Sequence, residues 1–196
     1  MSLTTFDSLK SNLATSLNGI ERYNPNNIPK LERFVDVQVD DNVYDLEINL
    51  TLLKLYQLNP PGAPGGSNCT QYVCKVLLKS LQNLPHSDFL LCKSLLSLEI
   101  LEDPMVKTIQ QMANLLEECD FKTFWEKSKT EFSKLTKAIA GFEDSMRLFV
   151  CHVVKTTYQR IPVERLSEIL GLSDEKSLNQ VCVLCTFIYR PVAPLK

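Results

Sequence analysis

Few residue pairs in this chain could do chemistry. Cys182-Val-Leu-Cys185 is its single CxxC. Zinc would need two further Cys or His ligands at comparable spacing, and none follows. A redox dithiol would stand at a helix N-terminus after a strand, in a βαβ context that this chain lacks. Cys151-His152 sets a nucleophile beside a base, but neighbours on a helix point about 100° apart and do not face each other. His86 and His152 are the only histidines, and a partly buried structural role is the simpler reading of each. Asp40-Asp41, Glu117-Glu118 and Glu143-Asp144 pair carboxylates. Acid and base catalysis needs two carboxyls converging on a cleft, so adjacent ones read as solvated helix faces or ends. Phe121, Phe124 and Trp125 recur at helical spacing. A core stripe explains them first, and a partner-facing anchor second. With no HExxH, P-loop or ordered Ser/His/Asp set, the residues favour an interaction protein without a catalytic, metal or cofactor site.

The chain that must hold these groups has 196 residues, 44% hydrophobic and 22% charged, the composition of a globular protein able to bury a core. Its 6 glycines are too few for a turn-rich β-sandwich or a glycine-rich nucleotide cradle. Net charge is 21 − 23 = −2. Residues 1–150 carry 15 basic and 19 acidic side chains and the remainder 6 and 4, far from a polyanion-binding arm. Seven cysteines, an odd number set mostly in apolar runs, read as reduced, buried thiols. Met1–Asp7 lacks a basic stretch followed by an apolar one, which predicts no signal peptide. No apolar run approaches the roughly 18 residues of a membrane helix. The sequons at Asn49 and Asn68 are then chance matches in an intracellular protein.

Helical periodicity runs through almost the whole sequence. Leu3, Phe6, Leu9, Leu13, Leu17 and Ile20 form one stripe, and Asn24-Pro-Asn-Asn breaks it. A second helix is predicted over 28–39 and a third over 42–56. The third is apolar on more than one side and therefore central. Asn59-Pro-Pro-Gly-Ala-Pro-Gly-Gly-Ser67 cannot continue a helix and reads as a surface loop. Helices resume over 69–83 and 88–98, the latter capped by Asp88. Asp103-Pro104 is an N-cap followed by proline at the first helical position. Phe142 to Gln159 is the longest uninterrupted run. Helices joined in pairs by short breaks imply a stacked solenoid.

After Tyr158 the texture changes. Ile161 is held out of the helix by Pro162, Val163–Leu170 reads as a short helix stopped by Gly171, and another begins at Ser173. A long helix, a short extended segment and two short helices open a winged-helix domain. The predicted division is 1–140 for a helical repeat domain and 141–196 for a partial winged helix, in a mostly all-α chain. Beyond about 178 one apolar strand fits, but hardly the two strands and turn of a wing.

Gly19-Ile-Glu-Arg-Tyr-Asn-Pro25, Leu31-Glu-Arg-Phe34, Tyr44-Asp-Leu-Glu-Ile-Asn-Leu50 and Leu53-Lys-Leu-Tyr-Gln-Leu-Asn-Pro60 carry a resemblance. Leu84-Pro-His-Ser-Asp-Phe89, Leu115-Leu-Glu-Glu-Cys-Asp-Phe121, Gly141-Phe-Glu-Asp-Ser145 and Phe149-Val-Cys-His-Val-Val154 extend it, with Tyr158-Gln159 after them. In this order they resemble the subunit K family of eukaryotic translation initiation factor 3, within the wider PCI-related group. The resemblance spans about 17–172 and leaves the family pattern beyond about Leu178. It implies a HEAT-like helical domain followed by a winged helix. It also implies a non-catalytic subunit of the factor that binds the small ribosomal subunit, with subunit L as closest partner, no cofactor and a cytoplasmic location, the nucleus being a further one.

Two other readings stand beside it. A small lid subunit of the proteasome or signalosome would share the architecture, and the ordered motifs favour the initiation factor over it. A winged-helix RNA binder would need a basic, aromatic-bearing recognition helix, whereas Ser173–Val183 has one lysine, two acids and no aromatic. Phe121, Phe124, Trp125, Val183, Phe187 and Tyr189 are the candidate partner-interface residues. The last three belong to an apolar tail that needs a partner or a covering surface.

Overall fold

The computed structural model describes residues 10–11, 19–60 and 69–172. Most of the first apolar stripe, most of the Pro/Gly loop and everything from Ser173 onward lie outside the described residues. The described part is all-α, with no strand among those residues. Two short 3₁₀ turns, Gly19–Tyr23 and Pro25–Asn27, lead into α1 (Ile28–Asp40), α2 (Leu46–Leu58), α3 (Cys69–Gln82), α4 (Asp88–Ser94) and α5 (Leu98–Leu101). Then follow α6 (Pro104–Glu117), α7 (Phe121–Lys129), α8 (Ser133–Thr136), α9 (Phe142–Thr157) and α10 (Val163–Leu170). The chain packs as two compact units, 1–110 with 138–140, and 111–137 with 141–196.

In the first unit α2 touches α1, α3 and α4, as a helix apolar on several sides must. It starts four residues later than the periodicity predicts. Asn42 takes a left-handed conformation (φ 50°), and Asp45 is the N-cap, its Oδ1 accepting the Ile48 N–H at 3.1 Å. Between α1 and α2 lies a buried polar seam. Gln38 Nε2 donates to Asn49 Oδ1 at 2.8 Å, while Gln38 Oε1 accepts from Asn49 Nδ2 at 3.2 Å and from the Asp45 N–H at 2.9 Å. Each amide satisfies the other. A helix slip would orphan both, at about 1–3 kcal/mol per unmet group, so the seam fixes the α1–α2 register. It also buries Asn49, which cannot accept a glycan in the folded protein.

The predicted helix over 88–98 is two helices. The Leu95 and Leu96 N–H groups bond three residues back, to Cys92 and Lys93, and Ser97 turns extended (ψ 158°) before α5. Asp88 is not a cap. Ser87 is the N-cap, and the buried Asp88 carboxylate accepts Tyr44 Oη at 3.0 Å and Asn83 Nδ2 at 2.6 Å. Asp103 does cap, its Oδ1 accepting the Met105 N–H at 2.8 Å.

In the second unit α10 touches α7 and α9, and α8 touches α7. The chain leaves the helical conformation from Tyr158 to Pro162, and both of those residues are extended (ψ 129° and 149°). Proline rejects the preceding residue from the α region, so α10 begins only at Val163. Gly171 (φ 64°) ends it with a two-bond cap, Gly171 N–H to Glu168 O and Leu172 N–H to Ser167 O, the glycine stop the sequence announces.

Candidate functional site

The structure separates the residues that looked reactive. Cys151 is buried and His152 exposed on the same turn of α9. His86 is also exposed, so neither histidine has the partly buried role expected of it: both ride on the solvent side of their segments. Glu117, Glu118, Glu143 and Asp144 are exposed. The last two are spent on Arg147, each at 3.0 Å. Burial pushes the Cys74 thiol up to about 11 and Cys92 to about 12, and it raises Cys69 as well. A thiol that stays protonated at neutral pH is a poor nucleophile and a poor metal ligand. No group of three metal-ligating side chains gathers among the described residues. Cys182 and Cys185 lie outside them.

Phe121, Phe124 and Trp125 are all buried. Phe121 meets Phe149 edge to face at 6.3 Å between centroids, and Phe124 meets Trp125 at 5.1 Å. Trp125 does more than fill space. Its indole N–H donates to the Ile169 carbonyl at 2.8 Å, tying α7 to the last turn of α10. The Arg147 guanidinium lies 5.0 Å from the ring centroid, a cation–π contact. Gly171 passes so close that a Cβ there would meet three indole carbons at 2.5–2.9 Å. The glycine is therefore required twice, for its left-handed backbone and for the ring beneath it. Arg147 and Gly171 are parts of this anchor that local periodicity could not identify, because their partner lies 22 and 46 residues away.

Beside the anchor is an open cleft of about 270 Å³ formed by the start of α7, the end of α9 and one face of α10. Its apolar floor is Phe121, Val154 and Ile169, and its edges carry Cys119, Lys122, Tyr158, Arg165 and Glu168. Glu168 receives two cations, Lys122 Nζ at 2.9 Å and Arg165 Nη1 at 2.7 Å. Lys122 and then Arg165 hold its carboxyl below the usual range, and Glu168 raises the Lys122 amine in return. Asp120 caps α7 through the Thr123 N–H at 3.3 Å, and the Thr123 hydroxyl and then this N–H hold its carboxyl below the usual range. Cys119 occupies the left-handed position (φ 59°) that closes α6, with the Asp120 N–H bonded to Leu115 O. It is the one exposed cysteine among the described residues. Lys122, Tyr158 and Arg165 bring donors, and Asp120 and Glu168 acceptors, to the edges of this apolar floor.

Comparison with known proteins gives the kinship. The family model described as CSN8/PSMD8/EIF3K matches residues 67–185, so the family pattern continues past 178, where the motifs alone lose it. Subunit K of eukaryotic translation initiation factor 3 from Xenopus tropicalis is 44% identical over 177 residues, 90% of this chain and 78% of the relative. The human subunit K is 44% identical over 175 residues, 89% and 78% of the two chains. That of Bombyx mori is 42% identical over 179 residues, 91% and 79%. With the helical order fixed and the matches running nearly end to end, the chain belongs to the CSN8/PSMD8/EIF3K family, on its initiation factor 3 subunit K branch.

Proposed function

We propose that the chain is a non-catalytic scaffold subunit of eukaryotic translation initiation factor 3 and contributes to assembly of the preinitiation complex on the small ribosomal subunit. The observation that carries this is 44% identity to subunit K over about nine-tenths of the chain. The dispersal of its reactive side chains is compatible with a binding role. In this reading residues 1–140 form a HEAT-like repeat domain and 141–196 a partial winged helix. Subunit L is the nearest partner, and the protein works in the cytoplasm. Contact with the ribosome is indirect, carried by other subunits. The net charge of −2 gives little of the phosphate neutralisation that direct RNA binding uses.

Affinity purification of the tagged chain, followed by sedimentation with small ribosomal subunits, tests the proposal. Co-purification with the other factor 3 subunits is expected, with no tight binding of the isolated chain to naked small-subunit RNA at physiological salt. Recovery with proteasome or signalosome lid subunits would overturn the assignment. Tight RNA binding would overturn the indirect contact.

A further inference from the structure

We infer that the lysine-rich corner formed by the end of α7, the turn after it and α8 docks and steers an acidic segment of another subunit of the same factor. The inference rests on the scaffold reading above and adds to it the place and chemistry of one contact.

Charge segregation carries the argument. Lys127, Lys129, Lys134 and Lys137 fall within eleven residues that hold one acid, Glu131, a local net charge of +3. Glu126, just before the segment, interacts with Lys122 one turn back. The other described residues of the second unit carry five Lys and Arg against eight Asp and Glu, a net of −3. The backbone gathers the four lysines. The Lys127 carbonyl accepts the Thr130 N–H at 3.1 Å and the Phe132 N–H at 2.9 Å, and the Lys137 N–H reaches Ser133 O at 3.3 Å. Of the five cations elsewhere in the unit, Lys122, Arg147 and Arg165 reach a carboxylate at 2.7–3.0 Å. In the corner only Lys127 has one, Glu131 at 3.8 Å, too long for a hydrogen bond. Lys129, Lys134 and Lys137 are exposed and make no ion pair or hydrogen bond with a described residue. The fold does not call for all four. Lys127 and Lys129 stand in the last turn of α7, where cations complement the helix dipole. Lys134 and Lys137 are three residues apart on and after α8, a spacing at which like charges repel. An anion from outside the chain relieves that repulsion, and its source is protein rather than RNA. Four lysines would cover only about four phosphates, and Phe124, Trp125 and Phe132 are buried, so no ring is left for a base to stack on. No large apolar side chain is exposed from 127 to 137, which suits an acidic segment held by charge at the rim of an interface and acting mainly on the association rate.

The full chain carrying Lys129→Gln, Lys134→Gln and Lys137→Gln tests this beside a control of equal charge change, Arg33→Gln, Lys54→Gln and Lys155→Gln; all six side chains are exposed. Stopped flow follows the association of each fluorescently labelled chain with the factor stripped of this subunit, at about 50 mM and about 0.5 M salt. The lysine variant is expected to associate about tenfold more slowly than wild type at the lower salt and to match it at the higher. Its thermal unfolding midpoint is expected to be unchanged, and the control to associate like wild type. In the wild-type assembly, zero-length carbodiimide coupling is expected to join at least one of the three lysines to an Asp or Glu of another subunit. Should the lysine variant unfold at a lower temperature, this coupling decides. Equal rates for wild type and lysine variant at low salt overturn the inference alone, as does an equal slowing of the control, which would assign the effect to net charge. So does coupling of these lysines only within the chain, or a rate difference abolished by nuclease, which would give the corner to RNA. Absence of the chain from the factor overturns the functional proposal and this inference together.

Discussion

Lys79 offers the most informative single perturbation. It sits on α3, 2% exposed, and its ammonium makes one hydrogen bond, to Asn42 Oδ1 at 2.9 Å in the α1–α2 turn. Burial pushes the amine down from 10.5 to about 8. Because each tenfold change in proton affinity is 1.36 kcal/mol, keeping the proton at pH 7 costs the folded state about 3 kcal/mol. Lys79→Met keeps most of the stem's packing and removes the charge. It also removes a hydrogen bond worth about 1 kcal/mol, while Asn42 is exposed and can turn its amide to water. The variant is expected to be about 1–2 kcal/mol more stable at pH 7. The pH profile follows from linkage. Between about 8 and 10.5 the unfolded chain holds the Lys79 proton more often than the folded one, so wild-type stability rises with pH there and is flat below. The advantage of the methionine variant should therefore shrink across that window, vanish at about pH 9–9.5 and reverse by its upper end. Urea unfolding of both proteins at several pH values reads this directly, and other titrations cancel in the difference. A variant less stable than wild type at pH 7, by an amount that does not change up to pH 10, would refute the reasoning.

Further outcomes concern the aromatic anchor. Trp125→Ala is expected to cost about 3–5 kcal/mol, as large aromatic-to-alanine changes in a core do, because it empties the site and orphans the Ile169 carbonyl. Trp125→Phe should cost only about 1–2 kcal/mol, the loss of the N–H bond and part of the ring; a denaturant midpoint unchanged in both would show that the ring is not structural. Gly171→Ala combines a left-handed penalty of roughly 1–2 kcal/mol with overpacking of about 1–3 kcal/mol against the indole. If that variant matches wild type in thermal unfolding, the close approach of α10 to Trp125 is wrong.

The helices were legible because their cause is local. Ile28, Leu31, Phe34 and Val35 recur at three and four residues and all four are buried; Asp103-Pro104 starts a helix and Gly171 stops one, each by backbone chemistry carried in two or three residues. Where local rules competed, the sequence misled. Asp88 has the identity of a cap, yet Tyr44 Oη, 44 residues away, and Asn83 recruit its carboxylate, and a buried acid with two donors is better satisfied than a capping one. The apolar pattern from 88 to 98 carried no sign of the extended Ser97. Cys119 in a left-handed turn ran against expectation too, since glycine or asparagine normally holds that position.

Chemical candidates and the surface that presents donors proved to be different residues, and the reason is physical. Reactive-looking pairs such as Cys151-His152 are defined by adjacency in sequence, which on a helix sends the two side chains in different directions. A cleft is defined by convergence in space. Lys122, Tyr158 and Arg165 come from α7, the turn after α9, and α10, and none stands out in its own segment. What brings α7 and α10 together is Trp125, whose N–H reaches Ile169 and whose ring seats Gly171. Periodicity marks this residue as core and has no means of showing that it is bonded to the end of another helix. Glu168 lies one residue before that bonded carbonyl, so the contact that fixes the end of α10 also holds its carboxylate where Lys122 of α7 can reach it. The buried anchor and the exposed donors are thus one construction: the indole sets the spacing of α7 and α10, and that spacing sets which side chains edge the cleft.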